Sequence, residues 1–395
     1  MTEQRKLPRT AMTFAPPVME ARRWLDGVTH PSDRPLLNVS QAAPVDAPPP
    51  PMLAAMADIV LNDPAAHLYG PVLGLPDLRA AVAERWSRDY GGTVTPAHVA
   101  ITSGCNQAFA AAISTLCGEG DEVILPVPYY FNHAMWLDMA GAVTVPLQTG
   151  AGLIPDAEEA AKLITDRTRA VVLVSPNNPG GVEYPASTLS AFRDLCRTRG
   201  IALIVDETYR DFDARTGAAH DLFSDPDWDD TLIQLYSFSK AYRLTGHRVG
   251  AITASPSRLA EVEKFLDTVA ICPNQLGQRA ALWGMRNLDQ WLAGERDEIL
   301  DRRAAITDHF PLLAARGWEI LGSGAYFAYL RHPFDIPSDV LAQRLVAGAG
   351  ILCLPGTMFR PAADKAGQQE LRIAFANIDR AGIAELFARL AAYQP

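Results

Sequence analysis

The sequence lacks the usual features of secreted, membrane and nucleic-acid-binding proteins. Its five cysteines (Cys105, Cys117, Cys196, Cys272 and Cys353) include no Cys-x-x-Cys pair, which favours reduced thiols over a disulfide framework or a zinc site. No run of about 18 apolar residues occurs, and the first residues lead into no apolar signal segment. The net charge of −10 is spread along the chain without a Lys/Arg cluster. We therefore expect a cytoplasmic protein without a metal, which binds a small charged metabolite rather than nucleic acid or a membrane.

The chain does contain a regular alternation of short apolar runs and alanine-rich segments between about residues 50 and 290. Several runs, such as 170–174, are apolar at every position, as expected for parallel strands covered by helices on both faces. The length of 395 residues and the 48% hydrophobic content allow two domains. We predict an α/β fold, with a large domain built on a mostly parallel seven-stranded sheet. The predicted strands are 98–102, 122–126, 142–147, 170–175, 201–206, 231–237 and 249–255.

The two ends of the chain have a different pattern. Before residue 50 the chain lacks periodicity and ends in four prolines, which we interpret as an arm followed by a stiff connector. After residue 290 the pattern predicts a long helix, a mixed segment and a final helix. We therefore expect a smaller α+β domain built from both chain ends. The predicted units are 1–48 for the arm and part of the small domain, 49–290 for the large domain and 291–395 for the rest of the small domain.

Lys240 lies in the stretch Ser237-Phe238-Ser239-Lys240, with Arg248 eight residues further on. A lysine that forms an imine needs surroundings that keep part of it unprotonated, and a cofactor phosphate needs a cation and hydroxyl donors. Ser237, Ser239 and Arg248 supply those groups, so the stretch suits a pyridoxal phosphate site. A solvated loop lysine is the alternative for this stretch taken alone.

Further polar residues follow the predicted strands, where ligands bind in such sheets. Asp206 ends an apolar strand and suits a protonated pyridine nitrogen, although it could simply cap the next helix. Tyr209 and Asn178 are candidates for the phenolic oxygen of the same ring, and Asn178 also for a substrate carboxylate. Tyr130 follows another strand and could stack on a flat ring or pack in the core.

Two more positions predict anion binding. Gly104, Cys105 and Asn106 lie where a strand meets a helix, so free backbone N–H groups could bind a phosphate there, or the segment could be a plain helix start. Arg372 is a charge inside an apolar run and needs an anionic partner if it points inward. A substrate α-carboxylate and an internal salt bridge are both possible partners.

Together these motifs resemble the class I/II aminotransferases of pyridoxal phosphate fold type I, along essentially the whole chain. The resemblance implies a cofactor imine on Lys240, Asp206 at the ring nitrogen, and a phosphate cup that includes Ser237 and Arg248. It implies Arg372 at the substrate α-carboxylate and Ala42 near the substrate. It also implies a homodimer in which Tyr69 reaches the phosphate of the neighbouring subunit.

The chain departs from the family pattern at three places. Ala42-Ala43-Pro44 replaces a common Gly-x-Pro, His247 replaces a common tryptophan, and Gly180 replaces a common threonine. The first departure puts the backbone contact at Ala42 in doubt, and none of the three touches the groups that move protons.

The resemblance implies transamination from an L-amino acid to a 2-keto acid by a ping-pong mechanism. A carbon–sulfur β-lyase on the same fold is the nearest alternative, and a non-catalytic pyridoxal phosphate sensor is a more distant one. Family members that act on dicarboxylates use a further basic group at the side-chain pocket. Residues 268–271, where we expect that pocket, have none, so we expect a neutral or aromatic donor.

Overall fold

The computed structural model describes residues 7–395, so the first six residues of the predicted arm lie outside the described residues. Within 7–395, no helix has the length and apolar composition needed to cross a bilayer. The strands are β1 (Leu37–Asn38), β2 (Val99–Thr102), β3 (Glu122–Val127), β4 (Val143–Gln148), β5 (Thr168–Val174), β6 (Ala202–Asp206), β7 (Leu232–Ser237), β8 (Gly250–Thr253), β9 (Glu319–Gly324), β10 (Phe327–Arg331), β11 (Ile351–Leu352), β12 (Leu354–Pro355) and β13 (Glu370–Ala374). The α-helices are α1 (Pro17–Arg23), α2 (Pro50–Asn62), α3 (Pro76–Tyr90), α4 (Cys105–Ser114), α5 (Phe131–Ala140), α6 (Ala157–Ala161), α7 (Ala186–Arg199), α8 (Phe238–Ala241), α9 (Pro256–Ala270), α10 (Gln275–Asn287), α11 (Asp289–Ala314), α12 (Ser338–Ala349) and α13 (Arg380–Ala392).

The large sheet has seven strands in the order β2-β8-β7-β6-β5-β3-β4. Strand β8 is antiparallel to both of its neighbours, and the other adjacent pairs are parallel. All seven predicted strands are present, and each end lies within two residues of its prediction. The predicted α/β fold with a mostly parallel seven-stranded sheet is therefore confirmed.

Helices cover both faces of this sheet. In β5, Val171 and Leu173 belong to one buried apolar cluster, whereas Ala170 and Val172 belong to another on the opposite face. Successive residues of a strand point to opposite faces, so a strand buried on both sides must be apolar at every position. The unbroken apolar runs of the sequence have this physical cause.

A second, smaller sheet has the antiparallel order β12-β13-β10-β9. Next to it, β1 from the beginning of the chain pairs in parallel with β11. The two chain ends therefore meet in one small domain. The predicted domain boundaries at 48/49 and 290/291 stay predictions, and the second lies in the first turn of α11.

The interpretation of the residues before 50 was wrong in two respects. The prolines do not form a connector alone, because Pro50 and Pro51 are the first two residues of α2. Proline suits the first helical turn, where its missing N–H group would have had no helical acceptor. The segment expected to be irregular also contains α1 and β1.

A buried ion pair holds the strand that carries Arg372. Glu370 in β13 accepts from Arg360 Nε at 2.7 Å and from Nη2 at 3.1 Å, and it accepts from the Tyr329 hydroxyl at 2.8 Å. All three side chains are buried. Removal of the negative charge would leave the Arg360 guanidinium without its closest counter-charge in a water-poor environment.

We predict that Glu370→Gln lowers the free energy of unfolding by about 3 kcal/mol, the cost of breaking a buried pair. The matched control is Glu319→Gln in β9 of the same sheet, where Glu319 pairs with Arg331 at an exposed site. Its loss should cost less than about 1 kcal/mol. Urea unfolding of both variants measures the difference, and equal effects would contradict a stabilising role for the buried pair.

Candidate active site

A cavity of about 420 Å³ opens at the carboxyl ends of β5, β6 and β7. Its other side is lined by the small domain, by residues 16–19 and by Arg22. It brings together almost all site residues predicted from the sequence. Those in its lining are Ala42, Cys105, Asn106, Tyr130, Asn178, Asp206, Tyr209, Ser237, Ser239, Lys240, Arg248 and Arg372.

Lys240 lies in the four-residue helix α8, which begins where β7 ends. The Ser237 hydroxyl caps this helix by accepting from the Ser239 N–H group. The turn directs the Lys240 amine into the cavity, where Nζ donates to the Ala42 carbonyl at 2.6 Å. Burial, together with smaller contributions from the positive charges of Arg248 and Arg372, lowers the pKa of the amine to about 8.

Arg248 lies beside the start of α4. Its guanidinium donates to the Thr245 carbonyl at 2.9 Å, and its Nη1 lies 3.5 Å from the Ser239 hydroxyl. Gly104, which precedes α4, has a φ of +87°, and a Cβ there would come 2.4 Å from Arg248 Nη2. Glycine adopts this positive φ without strain, and its lack of a Cβ lets the helix start and the guanidinium lie this close together. The two form one cradle with free N–H donors and a cation.

Asp206 ends β6 and is 3% exposed. Its Oδ1 accepts from the Thr208 N–H group at 2.9 Å, and its Oδ2 lies 3.3 Å from His133 Nε2. His133 is itself buried and stacks on Phe109 with ring centroids 4.0 Å apart. These contacts fix the orientation of the carboxylate at the floor of the cavity.

Arg372 in β13 is 2% exposed, and its guanidinium faces the cavity. Its Nη1 donates to Asn178 Oδ1 at 3.0 Å, its Nη2 donates to the Ser40 carbonyl, and its Nε has no partner within residues 7–395. Burial lowers the pKa of Arg372 to about 10. No carboxylate of the described chain lies within 4.0 Å of this guanidinium, so the internal salt bridge considered from the sequence is not formed.

Two tyrosines stand at the sides of the cavity. Tyr130 comes just before α5, and burial raises its pKa to about 12. Tyr209 packs against Tyr326 and Phe327, and burial raises its pKa well above the ordinary value. Both hydroxyls therefore stay protonated at neutral pH and can donate a hydrogen bond.

Two predicted features lie elsewhere. Tyr69 is 80% exposed and is not part of the cavity of its own chain. Residues 268–271, which we expected to form the side-chain pocket, are the end of α9 and the residue after it, and they do not line the cavity either. Their lack of a basic residue therefore says nothing about this chain's own cavity.

Sequence reasoning missed other cavity residues. Arg22 and Met19 come from α1, a helix that was not predicted, and Thr208 lies between two predicted residues. His133 belongs to the aromatic stretch around Tyr130, but no sequence pattern links it to the distant Asp206. A histidine one helical turn after a predicted site residue was the available signal.

The donor set fits pyridoxal phosphate. The cradle of Gly104 and Arg248 suits a phosphate, the fixed carboxylate of Asp206 suits a protonated ring nitrogen, and the Lys240 amine suits an aldehyde. Arg372, which is buried without a carboxylate partner in the described chain, adds a site for a second anion.

Comparisons with known proteins agree with this geometry. A family model described as "Aminotransferase class I and II" matches residues 34–390. An aromatic aminotransferase of Arabidopsis thaliana is 28% identical over 97% of this chain and 94% of its own length. An arginine–pyruvate transaminase of Pseudomonas aeruginosa is 30% identical over 80% of both chains.

Solved structures show the same fold. An aspartate aminotransferase of Thermus thermophilus, crystallised as a single mutant, superposes with a TM-score of 0.86 and 25% identity. The alignment covers 98% of this chain and 99% of the other. The resemblance seen in the sequence is thus confirmed: the chain belongs to the class I and II aminotransferases, enzymes that use pyridoxal phosphate.

Proposed function

We propose that this aminotransferase moves the amino group of a neutral or aromatic L-amino acid to a 2-keto acid, with Lys240 as the attachment point of the cofactor and as the proton carrier. One observation carries the proposal. A buried amine of lowered pKa shares a cavity with Arg372, a guanidinium without a carboxylate in the described chain. Pyridoxal phosphate, when bound, draws electrons from the substrate Cα and so makes its proton acidic.

Lys240 is suited to the proton transfer because of its surroundings. With a pKa of about 8, about a tenth of the free amine is neutral at pH 7, far more than for an ordinary lysine. The neutral amine can take the proton from the substrate Cα, and the resulting ammonium can return it. Its contact with the Ala42 carbonyl supports a role for the segment 40–43 in orienting the amine.

The other roles follow from charge and geometry. Gly104, Cys105, Asn106, Ser237, Ser239 and Arg248 would bind the phosphate. Asp206 would hold the ring nitrogen protonated, since His133 and Thr208 fix the orientation of its carboxylate. Tyr209 and Asn178 would donate to the phenolic oxygen, and Tyr130 would stack on the ring.

Arg372 would bind the substrate α-carboxylate. A buried guanidinium that lacks a counter-charge favours an anion strongly, because the protein has already removed its water. Asn178 Oδ1 and the Ser40 carbonyl hold its two Nη atoms in place, so its orientation is set before the substrate arrives. Such a fixed group binds a carboxylate at little entropic cost.

The nature of the donor is supported by the lining of the cavity near α1. Pro16, Pro17, Val18 and Met19 give that side an apolar surface, which suits a neutral or aromatic side chain. The similar protein of Arabidopsis thaliana is an aromatic aminotransferase, and the Pseudomonas aeruginosa relative acts on arginine and pyruvate. The five unpaired cysteines support a reducing compartment such as the cytoplasm.

We further propose that the active unit is a homodimer. Tyr69 is exposed together with Leu61 and Leu68, and with Val269 and Ile271 on a neighbouring segment. The two segments touch, since the Gly70 N–H group contacts Cys272 Sγ at 3.5 Å. An exposed apolar surface of this kind is typical of an interface, and a second copy of the chain would cover it.

The function is tested by mixing the cofactor-loaded protein with single L-amino acids: phenylalanine, tyrosine, methionine, leucine, aspartate and arginine. We expect keto-acid formation and a spectral change, faster with the aromatic and neutral donors than with aspartate.

Lys240→Ala should stay folded and lose about 10²- to 10⁴-fold in rate, because the proton carrier is gone. Failure with every amino acid would contradict the proposal, and release of pyruvate and ammonia from cystathionine would indicate the β-lyase.

The lowered pKa of Lys240 predicts a pH dependence. Only the neutral amine is nucleophilic, so acetic anhydride should label Lys240 of the cofactor-free protein with a rate that rises through about pH 8 and then levels off. Exposed Lys162, whose pKa is raised by its hydrogen bond to Glu159, should reach its plateau at higher pH. Mass spectrometry of the labelled peptides measures both.

Variants separate the causes of this shift. Arg372→Gln removes a nearby positive charge and should move the Lys240 midpoint to higher pH, whereas Arg258→Gln, outside the cavity, should not. A Lys240 midpoint at or above that of Lys162 would show that the cavity does not lower the pKa of the amine.

The dimer is tested by mixing two inactive variants, Tyr69→Ala and Lys240→Ala. If Tyr69 serves the neighbouring site, each hybrid dimer contains one intact site, and an equal mixture should regain about a quarter of wild-type activity. Analytical ultracentrifugation gives the mass of the assembly. Absence of any recovery, from two folded variants that exchange subunits, would place Tyr69 outside the neighbouring site.

A further inference from the structure

A second cavity lies at the opposite edge of the large sheet from the active site. Its volume is about 630 Å³, and it opens at the amino ends of β5, β6 and β7, between the end of α7 and the first turn of α9. Strand β6 runs from this cavity to Asp206, and its residues separate the two edges by roughly 16 Å, at about 3.3 Å per residue. The second cavity is therefore not a subsite for the amino donor or the keto acid.

The second cavity is rich in positive charge. Four arginines line it: Arg169, Arg197, Arg199 and Arg258. Arg169 pairs with Asp121 at 2.9 Å, and Arg197 pairs with Asp225 at 2.5 Å. Arg199 and Arg258 have no carboxylate within 4.0 Å among residues 7–395. Two guanidinium groups of one cavity are thus left without a counter-charge from the described chain.

The acidic residues of the lining are Asp166 and Asp230. Both are exposed, and in the part of the chain that the structure describes neither has a cation within 4.0 Å. Water and salt screen an exposed carboxylate that forms no contact, so it does little to offset a half-buried cation. The uncompensated charge of the second cavity is therefore positive.

Arg258 is the cation with the poorest surroundings. It is half-buried and is the third residue of α9, a helix without an acidic residue in its first turn. The start of a helix carries a partial positive charge, which opposes a cation there. Its Nη1 donates to the Thr115 hydroxyl at 3.4 Å, a long contact with a neutral group, and burial lowers the pKa of the guanidinium. An anion beside Arg258 would offset both unfavourable effects.

Arg199 adds a second cation from another element. It is the last residue of α7, it is exposed, and its guanidinium forms no hydrogen bond or ion pair with residues 7–395. Arg193, earlier in the same helix, pairs with Asp194 at 2.9 Å and does not line the second cavity. Two arginines of one helix therefore differ in the property that matters for binding an anion.

We propose that the second cavity binds a small phosphate-bearing metabolite, held by Arg258 and Arg199. A phosphate group carries up to two negative charges on one compact group, and its oxygens match the fork of a guanidinium. Leu116 and Ile164 in the same lining provide an apolar surface for the rest of the metabolite. The inference goes beyond the proposed transamination and does not depend on it, because none of the groups assigned to that reaction lines the second cavity.

The experiment measures binding of inorganic pyrophosphate to the cofactor-loaded enzyme, in which the phosphate cradle of the active site is already filled. Calorimetry at a fixed ionic strength of about 0.15 M limits non-specific attraction. We expect one saturable site per chain. Arg258→Gln and Arg199→Gln should each raise its Kd about 10- to 100-fold, the loss of one charge-assisted contact. The matched control Arg193→Gln should leave Kd within about threefold, since it removes only an exposed pair.

Absence of saturable binding, or equal weakening by all three substitutions, would overturn the inference. Weakening by Arg372→Gln rather than by Arg258→Gln would place the pyrophosphate in the active site and would overturn it too. Malonate, which carries two carboxylates, should compete only weakly, and competition as strong as that of unlabelled pyrophosphate would contradict the choice of phosphate. These measurements need no turnover, so their failure is distinct from absence of reaction with every amino acid, which contradicts the aminotransferase proposal.

Thermal unfolding provides a second readout. Without pyrophosphate, Arg258→Gln should unfold at the temperature of the wild-type protein or higher, because it removes an uncompensated cation from a helix start. Saturating pyrophosphate should raise the unfolding temperature of the wild-type protein but not that of Arg258→Gln. A lower unfolding temperature of Arg258→Gln without pyrophosphate would show that Arg258 stabilises the fold by itself, against a role that requires an anion.

Discussion

The positive charge of the cavity is the constraint on which the rest of the site depends. Lys240, Arg248 and Arg372 share one cavity whose acidic lining residue, among those described, is Asp206. Desolvation and mutual repulsion lower the pKa of the lysine and, through burial, that of Arg372. Positive charges without a counter-charge in a desolvated cavity favour anionic ligands, in agreement with the phosphate and carboxylate proposed for this site.

The fold concentrates this charge by bringing three parts of the chain to one place. The parallel strands β5, β6 and β7 end at the same edge of the sheet and deliver Asp206 and Lys240 there. Pairing of β1 with β11 brings residues 40–43 over this edge from the small domain. Strand β13 supplies Arg372, and the buried pair of Glu370 and Arg360 holds that strand. The domain junction therefore positions both ends of the site.

Much of the large domain was predictable because its constraints are local. A strand covered on both faces must be apolar throughout, and residues such as Asp206 and Lys240 interrupt or follow such runs conspicuously. The N-terminal segment was not predictable in the same way. Pro50 and Pro51 suit a connector and a first helical turn equally well, and α1 is short, with two buried residues, Pro17 and Ala21. Its packing against the small domain, rather than its own periodicity, decides its position.

The sequence by itself determined the large sheet and the family, and it named most of the polar residues that line the cavity, because these depend on residue type and on order along strands. Only the tertiary structure decided which charged side chains lie without an opposite charge nearby. Arg22 and Arg23 look alike in the sequence, yet one lies at the cavity and the other pairs with Glu20. Likewise, Arg372 could have formed a salt bridge, and only packing of distant segments excludes every carboxylate of the described chain from it. Whether a carboxylate neutralises an arginine depends on the distance between the two groups. The packing of the two domains against each other sets that distance.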